Sequence, residues 1–180
     1  NLLPAIYSVT ATDANSCTAT ASYTISQPTA IAITAPTITN ISCNGGSNGS
    51  LTNISASGGT GVISFTWSNG QTGVNATNLT IGNYSVTATD ANSCTATASY
   101  SISQPTAIVI TAPTTTNVTC HGGNDGSLTN ISASGGTGVI TFAWSNGQTG
   151  ANATNLVAGT YNVTATDANS CTATASYTIS

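Results

Sequence analysis

The sequence predicts an all-β protein built as tandem β-sandwich domains, with about seven strands in each domain and essentially no helix. Apolar and polar residues alternate with period two along most of the chain, as in GVISFTW and YSVTATD. Turn signals rich in Gly, Asn and Asp interrupt the alternation about every 8–12 residues, which is the spacing typical of an Ig-like sandwich. No segment combines an i, i+3, i+4, i+7 apolar pattern with helix caps.

The strands can be assigned in order within residues 27–103. Trp67 shares a face with Phe65, and Tyr84 begins the apolar face of the penultimate strand, so these positions and their counterparts Trp144 and Tyr161 are predicted to lie in the core. Gly82-Asn83-Tyr84 resembles a tyrosine corner. The predicted strands lie near residues 30–35, 38–43, 50–57, 62–68, 74–79, 83–90 and 94–103.

The chain repeats itself every 77 residues. Residues 27–103 and 104–180 align without gaps and differ at 15 of 77 positions, so each period is expected to form one small domain. Residues 1–26 match only the last third of a repeat and are interpreted as its last two strands, expected to be covered by the rest of that repeat in one continuous polymer or, alternatively, by another chain. The short Gln-Pro-Thr joints at 27–29 and 104–106 predict a stiff array.

The composition excludes several functions. The chain contains no Lys, Arg or Glu, and only 2% of its residues are charged, against about 25% in ordinary globular proteins. We expect no nucleic-acid partner, because phosphate recognition needs cationic side chains. We expect no direct membrane insertion, because no apolar stretch is long enough to span a bilayer. The apolar fraction of 39% argues against disorder.

Catalytic groups are nearly absent. The repeat at 27–103 contains no His and a single acid, Asp90, so neither a general acid–base pair nor an activated nucleophile can be assembled. His121 stands where the other copy has Asn44, and we interpret it as a turn substitution. The sequence therefore predicts a protein that is not an enzyme and has no catalytic residue.

The cysteines follow the repeat. Two cysteines 51 residues apart occur in each full period, which predicts the disulfides Cys43–Cys94 and Cys120–Cys171 and an oxidising, extracellular location. Cys17 is expected to have its partner outside these residues. Each bridge would contribute roughly 4 kcal/mol by loop entropy. A zinc site is the rival hypothesis, but no CxxC or Cys/His cluster supports it.

The Asp-Ala-Asn turn is the strongest candidate site. One interpretation is an Asx turn, in which the side chains bind nearby backbone N–H groups. The other is Ca²⁺ held by Asp and Asn oxygens at a domain joint, which would be the only cofactor. The candidate ligands are Asp13, Asn15, Asp90, Asn92, Asp167 and Asn169.

The segments CNGGSNGSLTNISASGGTG, WSNG and GNYSVTATDANSCTATASYSI resemble the SprB-type repeat of very large secreted surface proteins from gliding and other Bacteroidetes. The resemblance covers residues 38–102 and 115–179. It implies tandem β-sandwich modules in cell-surface adhesins, some of which move along the cell during gliding motility.

These observations predict a structural and adhesive extracellular repeat, forming a stalk or filament segment of a large bacterial surface protein. The expected partners are neighbouring repeats of the same polypeptide, lateral or end-to-end copies in a fibre, and an O-linked glycan coat on the exposed Thr and Ser. The alternative is a glycan-binding module of a surface adhesin, using Trp67 and Trp144 or the Gly/Asn loops.

Overall fold

The computed structural model describes residues 1–180 and contains eighteen strands and no helix, which confirms the predicted all-β class. No helix is therefore available to cross a membrane. The first two strands, β1 (Ala5–Thr12) and β2 (Thr18–Ile25), form a hairpin. The remaining sixteen are divided equally between repeat 1 (residues 27–103) and repeat 2 (residues 104–180).

The two repeats have the same strand order. In repeat 1 one sheet has the order β4-β5-β8, a second has the order β10-β9-β7, and β3 pairs with β6. Repeat 2 has the equivalent sheets β12-β13-β16 and β15-β17-β18 and the pair β11-β14. The strands are β3 (Ala32–Thr34), β4 (Thr37–Thr39), β5 (Gly49–Thr52), β6 (Ser55–Ser57), β7 (Ser64–Trp67), β8 (Ala76–Leu79), β9 (Gly82–Thr89), β10 (Thr95–Ile102), β11 (Val109–Thr111), β12 (Thr114–Thr116), β13 (Gly126–Thr129), β14 (Ser132–Ser134), β15 (Thr141–Trp144), β16 (Ala153–Leu156), β17 (Gly159–Thr166) and β18 (Thr172–Ile179).

Each hydrophobic core lies between the two three-stranded sheets. In repeat 1, Leu51 and Leu79 of one sheet meet Trp67, Val86 and Ile102 of the other. The equivalent residues of repeat 2 form the second core. Because side chains alternate across a strand, the apolar face of each sheet turns inward and the Thr/Ser face meets solvent. The predicted Ig-like β-sandwich is thereby confirmed.

The large aromatic residues lie where the alternation placed them. Trp67 is 2% exposed, and its indole N–H donates a hydrogen bond to the Gly73 carbonyl oxygen at 3.0 Å. Tyr84 is half-buried, and its hydroxyl donates to the Thr80 carbonyl oxygen at 3.1 Å. Trp144 and Tyr161 take the same positions in repeat 2. The tyrosine bonds close a corner before each penultimate strand.

Each repeat has eight strands, because the single strand predicted over 50–57 is divided. Asn53 has φ of +61°, in the left-handed region, and separates β5 from β6. The Asn75 side-chain oxygen accepts the Asn53 backbone N–H at 2.9 Å and holds this conformation. Asn130 and Asn152 reproduce the same break in repeat 2. Asn is among the few residues that tolerate this backbone region.

The hairpin formed by β1 and β2 shows how much of the burial comes from the rest of a repeat. Val9 is 55% exposed and Ile25 is 40% exposed in the hairpin. Their counterparts Val86 and Ile102 are 0% and 2% exposed in repeat 1. The sequence of these strands is nearly the same, so the difference comes from the facing sheet, which only the full repeats contain.

Candidate functional site: the disulfide-linked joint

One disulfide is formed, and it joins the two repeats. Cys43 of repeat 1 is bonded to Cys171 of repeat 2, with Cα atoms 5.5 Å apart and a sequence separation of 128. Cys17, Cys94 and Cys120 are free and exposed. The predicted pairs Cys43–Cys94 and Cys120–Cys171 are therefore wrong.

The length of β10 explains why the pairing within a repeat fails. Cys94 immediately precedes β10, whereas Cys43 lies beside its far end, where the Ile41 N–H donates to the Ser103 carbonyl oxygen at 3.0 Å. Eight residues rising by about 3.4 Å each place the two ends roughly 25 Å apart. A disulfide needs Cα atoms within about 7 Å. The two cysteines of one repeat thus lie at opposite ends of its sandwich.

Each repeat has two cysteines, called here the opening cysteine, which comes first in the repeat, and the closing cysteine, which follows the Asp-Ala-Asn turn. In repeat 2 the closing cysteine is Cys171, and the turn holds it in place. One oxygen of Asp167 accepts the backbone N–H groups of Asn169 at 2.8 Å and Cys171 at 2.9 Å. The other oxygen accepts the Thr137 N–H at 2.7 Å, which ties the turn to the Gly-Gly-Thr turn. Burial raises the pKa of Asp167, but the hydrogen bonds from Cys171, Thr137 and Asn169 outweigh it and hold the pKa below its ordinary value.

The opening cysteine of repeat 1 is Cys43. It is held by a structured loop over residues 42–48, the opening loop. The Asn48 side-chain oxygen accepts the Ser42 N–H at 3.2 Å, and the Asn48 amide donates to the Ser42 hydroxyl at 2.8 Å. The Gly46 N–H donates to the Cys43 carbonyl oxygen at 3.0 Å. Gly45 has φ of +76°, a conformation that suits glycine. The loop therefore fixes the direction of the Cys43 side chain.

Three neutral hydrogen bonds cross the joint beside the disulfide. The Asn44 amide donates to the Pro105 carbonyl oxygen at 3.0 Å, and the Gly45 N–H donates to the Gln104 side-chain oxygen at 2.9 Å. The Asn169 amide reaches back to the Ser42 carbonyl oxygen at 3.2 Å. The same region encloses an open groove of about 370 Å³. The joint is thus held by one covalent bond and by amide side chains, without an ion pair.

The Asp carboxylates are occupied by backbone donors in all three copies of the turn. Asp90 accepts from Asn92 at 2.9 Å, Cys94 at 2.8 Å and Thr60 at 2.8 Å. Asp13 makes the equivalent bonds to Asn15 and Cys17. This is the geometry of an Asx turn. No three His, Cys, Asp or Glu side chains converge. Calcium coordination at these turns stays a prediction.

The remaining candidates lie away from the joint or on its margin. Trp67 and Trp144 are buried, so their ring faces are not available to a sugar. His121 is exposed at the position equivalent to Asn44. Sequence reasoning placed Gln104 at a domain joint but missed its contact with the opening loop. The only available signal was its occurrence beside proline at each boundary.

Comparison with known proteins agrees with the repeat assignment. The family model described as SprB repeat matches residues 35–72 and 112–149. The predicted SprB resemblance is confirmed. This match supports a repeat region of a Bacteroidetes surface protein, and it concerns a structural repeat with no catalytic role attached to it.

Other comparisons add little. No curated protein sequence matches the chain. Among solved structures, the chain is similar to one described as the structure of the amphioxus IgVJ-C2 molecule, with 17% identity over 86% of this chain and 98% of that chain, and a TM-score of 0.32. This similarity is weak, and the strands and cores described above define the fold.

Proposed function

We propose that the chain is a structural and adhesive extracellular repeat, a stalk or filament segment of a large bacterial surface protein. The disulfide between Cys43 and Cys171 is the observation that carries this proposal. A bond between neighbouring repeats fixes the orientation of one sandwich on the next, which is a property that a stalk requires. A single binding module has no need of it.

Two further features support the proposal. Disulfides persist in oxidising compartments, so the bridge favours an extracellular location. The repeats are almost identical, and repeat 1 contains no His, Lys, Arg or Glu and a single Asp, so it offers no pair of these groups for acid–base chemistry. Near-identical tandem domains extend a chain by equal steps, whereas a catalytic protein needs specialised parts.

Electron microscopy of the 180-residue chain tests the stalk. We expect a narrow distribution of angles between the two sandwiches under oxidising conditions, and a wider one after reduction or in the Cys171→Ser variant. Cys94→Ser is the matched control, because Cys94 is the same residue type at the same place in repeat 1 but is not bonded. Equal, broad distributions in all four samples would contradict a stiff stalk, and binding to arrayed glycans would favour the glycan-binding module instead.

A further inference from the structure

The two unbonded cysteines of the full repeats lie in structures that match the two sides of the bonded joint. Cys120 has the position of Cys43, and Cys94 has the position of Cys171. We infer that each opening cysteine of this array bonds to the closing cysteine of the repeat that follows it. Cys120 would then bond to the closing cysteine of a following repeat in the same polypeptide. Cys94 would bond to the opening cysteine of a preceding repeat. This inference rests on the proposed function as an array segment.

The opening loop of repeat 2 already has the conformation of the bonded loop. The Gly123 N–H donates to the Cys120 carbonyl oxygen at 2.8 Å, and Gly122 has φ of +79°. Asp125 accepts the Thr119 N–H at 3.1 Å and the Thr119 hydroxyl at 2.6 Å, replacing the Asn–Ser bonds of the bonded loop. Different side chains thus preserve the same loop. The direction of Cys120 is set before a partner is present.

The closing side of repeat 1 is equally prepared. An open groove of about 330 Å³ is lined by residues that include Gln27, Pro28 and Cys94. The equivalent groove of repeat 2 is also lined by Cys43 and Asn44 of the preceding repeat. Gln27 and Pro28 are exposed, whereas the corresponding linker residues of repeat 2 are half-buried. In repeat 2 this groove contacts the opening loop of the preceding repeat. The groove of repeat 1 has an equivalent lining, so it can contact an opening loop in the same way.

The topology makes a further copy of the repeat the suitable partner. The opening and closing cysteines lie at opposite ends of each sandwich, so they cannot bond within a repeat. The substitution in the loop keeps a donor, because His121 in place of Asn44 retains a side-chain N–H that can donate to the carbonyl oxygen of a linker proline. The same joint can therefore recur at each boundary between repeats.

Successive bridges would overlap along the chain. The observed bridge spans 128 residues, which is more than one period of 77 residues. A bridge starting at Cys120 would begin before the first bridge ends at Cys171. Each repeat would then be tied covalently to the repeat before it and to the repeat after it.

Each bridge forms by thiol–disulfide exchange with a disulfide oxidant. One thiolate attacks a sulfur of the oxidant and gives a mixed disulfide, releasing one oxidant thiolate. The second protein thiolate displaces the remaining oxidant sulfur. The two protein thiols lose two protons and two electrons in total, and the oxidant's disulfide is reduced to two thiols.

A three-repeat chain tests the inference. Residues 27–103 are appended after Ser180. Ser replaces Cys17, Cys94 and the opening cysteine of the appended copy, so that the four remaining cysteines lie in four different chymotryptic peptides. Chymotrypsin cleaves after tyrosine, so each closing cysteine lies in a peptide that starts just after Tyr84 or its equivalent. The peptide of the appended copy begins with the counterpart of Ser85, whereas that of repeat 2 begins with Asn162. We expect non-reducing mass spectrometry to find Cys120 bonded to the appended closing peptide, with the Cys43–Cys171 bridge retained. In the Cys120→Ser control, the appended closing cysteine should be alkylated.

Two results would overturn the inference, namely a Cys120–Cys171 bridge or alkylation of Cys120 while Cys43–Cys171 is formed. The second result would leave the proposed stalk intact, because the first joint would still be bonded. The 180-residue chain provides an independent measurement. Under native conditions Cys94 and Cys120 should be alkylated and Cys43 and Cys171 protected, whereas protection of Cys94 by Cys43 would refute the staggered pairing.

Discussion

The bridge between repeats has a mechanical consequence that can be measured directly. When the chain is pulled from residues 1 and 180, the disulfide carries the force from Cys43 to Cys171. The segment between them, with a sequence separation of 128, cannot be extended while the bond is intact. An extended chain gains about 3.5 Å per residue, so the bridge removes about 450 Å of contour length.

Single-molecule force spectroscopy of the oxidised and reduced chain checks this value. Of the 180 residues, only 51 lie outside the bridged segment 43–171, so the fully stretched oxidised chain should reach about 180 Å. The reduced chain should reach about 630 Å. Cys171→Ser should behave like the reduced chain under both conditions, and Cys94→Ser should behave like the oxidised wild type.

The assay also separates the two pairing schemes. Bridges within each repeat would hide 51 residues per repeat, and together they would shorten the chain by about 360 Å. In that scheme Cys94→Ser would restore about 180 Å of length. Any lengthening of the oxidised Cys94→Ser variant would therefore refute the pairing of Cys43 with Cys171.

Three further outcomes are expected. Loss of the bridge in Cys171→Ser should lower the free energy of unfolding by about 5 kcal/mol, because the disulfide closes a loop with a sequence separation of 128. Cys94→Ser should leave the free energy of unfolding unchanged, and denaturant titration measures it for both variants. The lowered pKa of Asp90 means that its stabilisation is complete above the ordinary carboxyl value and is lost as the pH falls through the folded value. Thermal unfolding between about pH 2 and 7 should therefore depend less on pH in the Asp90→Asn variant than in the wild-type chain. Millimolar Ca²⁺ should leave the melting temperature unchanged, because the Asp oxygens already accept backbone N–H groups. A rise in melting temperature that is abolished by Asp90→Asn would instead support the calcium hypothesis.

The sequence was a good guide to the sandwich because alternation is a local signal. The period of two identified β7, β9 and β10 and placed Trp67 in the core. It did not identify the break between β5 and β6. The apolar positions there change parity between Leu51 and Ile54, and Asn53, in the left-handed conformation, lies at this change and divides the strand.

The cysteine pairing could not be obtained from the repeat alone. Spacings of 51 and 128 residues fit the periodicity equally well, since Cys94 and Cys171 are equivalent positions. The deciding fact is spatial, because β10 separates Cys94 from Cys43 by its whole length. That separation could have been estimated once β10 was assigned as one unbroken strand.

The neutral composition explains why this joint needs a covalent bond, and it leads to a last prediction. Three neutral hydrogen bonds, each contributing about 1 kcal/mol, leave two domains free to move on one another. In Gln104→Ala the bond from the Gly45 N–H is lost. The distance distribution between dyes on the two repeats should then broaden strongly in the reduced chain and little in the oxidised one. Gln27→Ala, the same change at an exposed linker position, is the control. Equal broadening of oxidised and reduced Gln104→Ala would mean that the hydrogen bonds, and not the disulfide, hold the repeats in line.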